Sequence, residues 1–210
     1  MRNLSYIIVL CFTSLLVICV QAQEKGVPAV RNPALRRELI KRVTEDQAIR
    51  NELISKGVEQ RDKSILSRMQ AIDASNTKRM RAIIRKYGWP GPELVGQDGA
   101  EAAFLLVQHS DLTFQKKVLP LVEKAFKSGK LSGQNYALLI DRVLVGEGKP
   151  QIYGTQAKRI EEWNGREPVL APIEDEANVD KRRAEVGLFP LSEYREFLKR
   201  LYFPQDKGKP

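Results

Sequence analysis

The chain has a single histidine, His109, at the end of the apolar run Phe104-Leu105-Leu106-Val107-Gln108. Paired with a carboxylate such as Asp111 or Asp141, this imidazole could serve as a general acid or base. Other polar side chains fall where helical spacing would place carbon. Asp46 and Arg50 stand four residues apart on the stripe running from Leu39 to Leu53, with Gln47 at its edge. Asp73 and Asn76 interrupt the stripe from Met69 to Met80. A buried amide or carboxylate without a partner costs about 1–3 kcal/mol, so these groups are expected to meet one another, water or a ligand. Asp141-Arg142 sit side by side in LIDRVLV, and Tyr153 and Gln156 lie in the turn-rich stretch QIYGTQ.

These residue types allow three kinds of function. The first is a polar binding site drawing on Asp46, Arg50, Asn76, His109, Arg142, Tyr153 and Gln156. There the forked arginine donors would suit a small anionic ligand or an envelope component. The second is a hydrolase of cell-envelope material. It would use carboxylates such as Asp46 and Asp141, with or without His109, and His109 and Asp141 are its catalytic candidates. The third is a helical domain in which the polar groups only set register. Several chemistries drop out. HExxH, P-loop and GxSxG patterns are missing, and no cysteine follows Cys19, so thiolate nucleophiles, disulfides and the common zinc sites are not expected. The acidic stretch around Glu174, Asp175, Glu176 and Asp180 lacks the glycine-turn spacing of a calcium loop and reads as a helix N-terminus. No metal and no cofactor is expected.

The elements that must position these groups are helices. Leu35, Leu39, Val43 and Leu53 recur at helical period, and so do Ile65, Leu66, Met69, Ile72, Met80, Ile83 and Ile84, with Gly57 between the two runs. They predict an antiparallel pair over residues 33–86, closed by Gly88-Trp89-Pro90. DGAE at residues 98–101 has the form of a capping box, and the helix after it is apolar on all sides, which places it at the centre of a core. Asp111 can cap the next helix, which Pro120 must kink or restart. Ser132 opens another, and two short helices follow Asn178 and Pro190. The stretch near 146–173 is expected to be irregular or β-like. The fold class is therefore mainly α: a single-domain helical bundle spanning 33–203, divided into the basic pair 33–86 and the remaining helices 87–203.

Outside that domain, residues 1–22 read as a secretory signal peptide, with Arg2 before the apolar run and Val20-Gln21-Ala22 as its cleavage pattern. Residues 23–32 read as a flexible start and 204–210 as a disordered tail. Export to the periplasm or beyond follows from that reading. The net charge of +9 is unevenly placed. From Arg31 to Lys86, 15 Lys and Arg stand against 7 Asp and Glu, and from Tyr87 onward the two are equal at 18 each. An anionic lipid surface is a candidate partner for the basic segment. Nucleic acid is not expected, since no aromatic residue between Gln23 and Lys86 offers a stacking platform.

Taken in order, DQAIR, KYGWPGPELVGQDGAEAAFLLVQHSD, LIDRVLV, QIYGTQ and PIEDEANVDKRRAEVGLFPLSEY resemble the motifs of a bacterial family of uncharacterised helical domains. The resemblance spans about residues 35 to 195. It implies that Asp46, Gln47, Arg50, His109, Asp141, Arg142, Tyr153, Gln156 and Asp180 belong to a shared pattern, and it carries no activity with it.

Overall fold

The computed structural model describes residues 30–56, 62–165 and 167–203. The expected signal peptide, most of the expected flexible start and the expected tail lie outside those residues. Within them, the sequence signals for helix starts act through side-chain caps. Asn32 accepts from the Leu35 amide at 3.0 Å and Pro33 takes the first position of α1 (Pro33–Ser55). Asp62 accepts from the Ser64 and Ile65 amides and opens α2 (Lys63–Tyr87), which Gly88 ends at φ 71°. Asp111 caps α4 (Leu112–Lys127) through the Phe114 amide at 2.8 Å, and Ser132 caps α5 (Gly133–Gly146) through Asn135. Two short helices complete the described chain, α6 (Val179–Glu185) and α7 (Leu191–Tyr202).

α3 (Pro92–Gln108) is the hub, packing against α1, α2, α4 and α5. Its Ala103, Phe104 and Val107 are fully buried, and they meet Leu39, Met80, Val118, Val122 and Leu139 in the main core. One expectation about local structure fails here. Residues 98–101 do not form a capping box. The break lies at Gly96, whose φ of 74° separates a first turn from the rest of α3. Asp98 pairs instead with Arg36 of α1 at 2.7 Å, and Glu101 accepts from Asn135 of α5 at 2.6 Å. Within α3, Asp98 also accepts from the Gly99 amide at 2.8 Å and Glu101 from the Gln97 side chain at 3.0 Å. α4, in turn, continues through Pro120 rather than restarting, with the proline on its exposed side.

A second apolar cluster, built from Trp163, Leu170, Leu191, Leu198 and Tyr202, joins α7 to the segment before α6. That segment contains isolated bridges, Gln151 with Ile173 and Ala157 with Leu170, so the described residues of the expected β-like insertion form an ordered loop without strands. A third, small cluster of Ile49, Ile65 and Met69 closes the far end of the α1–α2 pair. Several basic residues of this pair are held in ion pairs: Arg42 of α1 and Arg79 of α2 both bind Glu38 of α1, Arg68 of α2 binds Glu52 of α1, and Arg81 of α2 binds Asp111. Among the described residues no helix is long and apolar enough to cross a membrane.

The loop after α5 hangs on one carboxylate. Asp141, fully buried, accepts from the amides of Ile152 (2.7 Å), Tyr153 (3.1 Å) and Thr155 (3.0 Å) and from the Thr155 hydroxyl (2.9 Å). Gly154, between these amides, sits at φ 69°, with Leu191 and Ile173 where a Cβ would be. Replacing Asp141 by Asn sets an amide NH2 against backbone N–H groups. We expect that substitution to lower stability by about 2–3 kcal/mol in urea unfolding. Hydrogen exchange at Ile152, Tyr153 and Thr155 should rise with it, and unchanged protection there would refute the role assigned to Asp141.

Candidate functional site

Three helices bring their polar side chains to one buried point. Asp46 and Arg50 lie one turn apart on α1, so the guanidinium folds back along the helix and its Nη1 donates to Asp46 Oδ1 at 2.7 Å. Nη2 donates across the interface to Asp73 Oδ1 of α2 at 2.8 Å. His109, at the C-terminal end of α3, brings Nδ1 within 2.8 Å of Asp46 Oδ2, and Gln47 Nε2 donates to the same oxygen. The side chains of Asp46, Arg50 and His109 are 0–2% exposed, whereas that of Asp73 is 22% exposed. Asp73 is thus the member of the network that reaches solvent. It opens onto a surface hollow of about 430 Å³ lined by Gln70, Asp73, Ala74, Thr77, Lys78, Arg81 and Asp111.

Charge follows from this geometry. Burial pushes the Asp46 carboxyl up. The His109 hydrogen bond, the Arg50 charge and the Gln47 amide more than offset it and hold the group below its ordinary range. Burial also pulls His109 down to about 4, with the Arg50 and Arg142 charges adding to the effect against Asp46. At neutral pH the imidazole is therefore uncharged. Its Nδ1 must carry the proton, because an ionised carboxylate can only accept, and Nε2 is left as a buried acceptor without a hydrogen-bond partner. Asp73 is pushed up to about 6, first by burial, with the adjacent Asp46 carboxyl acting in the same direction and Arg50 opposing it.

The other sequence candidates divide into those that adjoin this cluster and those that do not. Asn76, 4% exposed, lies one turn beyond Asp73 and accepts from Arg42 at 3.1 Å, while its Nδ2 has no partner. Arg142 reaches Gln108, whose amide oxygen accepts from Nε at 2.7 Å, and its charge is felt at His109. Asp141, Tyr153 and Gln156 belong to a different assembly, the loop knot described above. Gln156 donates its amide N–H to Gln151 Oε1 at 2.7 Å and its side-chain N–H to Thr155 Oγ1 at 3.0 Å. The Tyr153 carbonyl accepts from Arg183 at 2.7 Å, and its phenol is half-buried. Asp180 caps α7 through the Leu191 amide. Sequence reasoning overlooked Arg183, which is fully buried against the Phe189 and Tyr153 carbonyls and the Tyr194 ring, and Gln151, which spans the loop. Arg183 stands in a run of charged residues, where nothing local marks it as internal.

The two shifted groups make opposing pH contributions. The folded-state pKa of His109 lies below its ordinary 6.5, so its contribution to stability is full above 6.5 and is lost as pH falls toward 4. That of Asp73 lies above its ordinary 3.8, so its contribution is lost as pH rises through about 6 and returns on acidification. Between pH 4 and 6 the unfolded chain carries one proton on His109, and the folded chain carries one on Asp73. These two groups together should thus give the wild type a shallow stability profile over that range. Asp73→Asn removes one side of the balance, and stability should then fall on acidification by about 1.4 kcal/mol per pH unit. His109→Gln should give the opposite slope. Urea unfolding of the three proteins between pH 4 and 6.5 measures both, and parallel profiles would overturn the assignment.

No curated protein and no solved structure matches the chain. The sequence profile of DUF6624, a family of unknown function, matches residues 33–206, a span that contains the whole cluster around Asp46 and the whole loop knot around Asp141, and the chain belongs to that family.

Proposed function

We propose that the protein is a binding module for a small polar ligand, taken up in the hollow in front of Asp73. One observation carries this reading. A single guanidinium is shared between two carboxylates, of which Asp46 is sealed inside and Asp73 opens onto a concave surface. The buried members hold Asp73 in place before any ligand arrives, which lowers the ordering cost of binding. Arg50 is 1% exposed and already engaged by two carboxylates, so an anionic ligand would have to displace one of them to use it. The signal-like residues 1–22 support an exported protein whose ligand is an envelope or extracellular compound.

A hydrolase is the second reading, favoured by the Asp46–His109 pair. A carboxylate that fixes Nδ1–H leaves Nε2 as the basic nitrogen, the arrangement a general base requires. Against it, the imidazole is sealed at 2% side-chain exposure and would need an opening motion to meet a substrate. The carboxylate version loses ground as well, because donors already engage both oxygens of Asp141.

For binding, melting temperature is measured for wild type and Asp73→Asn against a panel of amines, carboxylates, neutral sugars and amino acids. At least one compound should raise the melting temperature of wild type and leave the variant unmoved. A panel without effect removes the binding reading. For hydrolysis, the release of reducing ends or free amines from purified peptidoglycan should be seen with wild type and lost in His109→Gln. Wild type that releases nothing removes the second reading.

A further inference from the structure

We infer that the hollow beside α2 takes the primary ammonium group of a ligand whose far end is neutral or anionic, with the Asp73 carboxylate as its counter-ion. The inference rests on the binding reading above and names its ligand class.

Charge balance supplies the first argument. Arg50 is the cation hydrogen-bonded to the two carboxylates, so with both ionised one negative charge is left over. Asp46 receives three donors, from Arg50, His109 and Gln47. Asp73 receives one, from Arg50, and it is the carboxylate with solvent access. The surplus charge therefore sits at Asp73, facing the hollow. Two cations, Arg81 and Lys78, share the lining. Arg81 is held by Asp111 at 2.9 and 3.2 Å and lies 4.4 Å over the Phe114 ring. Lys78 also lines the hollow, exposed and without an ion pair among the described residues, so water screens its charge.

The second argument concerns hydrogen-bond type. Gln70, Asp73 and Thr77 are spaced three and four residues apart and share one face of α2. Each can offer an oxygen acceptor: the Gln70 amide oxygen, the second Asp73 carboxyl oxygen, and Thr77 Oγ1, whose own proton is donated to the Asp73 carbonyl at 2.8 Å. Three acceptors on one stripe match the three N–H donors of a primary ammonium. Lys78 and Arg81 bias the far end against a second cation, which favours an amino acid or amino sugar over a polyamine.

Protons compete for the same place. The charged and titratable groups around Asp73 are Asp46 and Arg50 from α1, His109 from α3, Asp111 from α4, and Lys78 and Arg81 from its own helix. Of these, the Asp46 and Arg50 charges act on it most directly. Its position at about 6 means that acidification fills the site with a proton.

The test uses the full chain labelled with 15N and three probes: β-alanine, N-acetyl-β-alanine, which lacks the ammonium, and putrescine, which carries a second one. At pH 7.5, β-alanine should give saturable amide shifts centred on residues 70–78, with affinity about tenfold weaker at pH 5. N-acetyl-β-alanine should give no saturable shift, and putrescine should bind less tightly than β-alanine. Asp73→Asn should abolish binding. Thr77→Val, which leaves the Arg50 pairs in place, should weaken it several-fold. Equal binding of the acetylated probe, or of β-alanine at the two pH values, overturns the ammonium assignment and leaves the binding module standing. No β-alanine response while another panel compound shifts residues 70–78 has the same consequence. Silence from β-alanine and from the whole panel overturns both.

Discussion

A guanidinium almost without solvent contact must find acceptors for its N–H groups or it will not stay folded inside. Arg50 sets that constraint here. Removing such a charge from water costs several kcal/mol, and only short, well-aligned bonds from more than one partner return it. Asp46 and Asp73 supply them from two helices, and the fork of the guanidinium reaches both at once, which a lysine ammonium in the same place could not do with comparable geometry. His109 then completes Asp46 from a third helix. The register of α1 against α2, and the seat of the α3 C-terminus, are both tied to this one group. The apolar clusters on either side are consistent with it. The main core lies toward Leu39 and Met80, and the small cluster of Ile49, Ile65 and Met69 lies toward the far end of the pair.

The chain holds a second buried polar knot, and comparing the two separates a structural role from a candidate site. Around Asp141 the donors are mostly backbone amides of one loop, and both carboxyl oxygens are engaged. Gln151, Gln156 and Arg183 satisfy backbone groups in the same way. These bonds give the loop its shape. Around Asp46 the partners are side chains from different helices, one carboxylate is left with a single donor, and Arg50 Nε, His109 Nε2 and Asn76 Nδ2 are left without partners, against Arg183 Nη2 in the loop knot. An unmet polar group in a protein interior calls for an explanation in a way that a satisfied one does not.

Helix positions were legible because their causes are local. The apolar period of α1 and α2, the caps at Asp111 and Ser132, and the stop at Gly88 each depend on a few neighbouring residues. The central place of α3 could also be read, since a helix apolar on every side has no face to give to water. Polar residues on the α1 and α2 stripes pointed to buried pairing, and Asp46, Arg50 and Asp73 do meet. The sequence could not tell which partners would meet. Asp141 and His109 were grouped because a base needs a carboxylate, yet Asp141 serves the loop and Asp46, 63 residues away, serves the imidazole. The capping box at Asp98 failed because the helix breaks at Gly96, and Asp98 binds the Gly99 amide and Arg36 of another helix instead. Pairings across tens of residues depend on how helices pack, and composition and spacing do not encode that directly.

The unequal treatment of two carboxylates around one cation is what gives the cluster chemical potential. Asp46 is buried, multiply bonded and ionised. Asp73, on the same guanidinium, is partly wet and held near the point of protonation. Environments that push two like groups apart in this way are how a protein keeps one charge permanent and the other exchangeable. The permanent charge holds Arg50 and His109, and so ties α1 to α3. The exchangeable one joins α2 to the same guanidinium and faces outward, where a proton or another cation can compete for it.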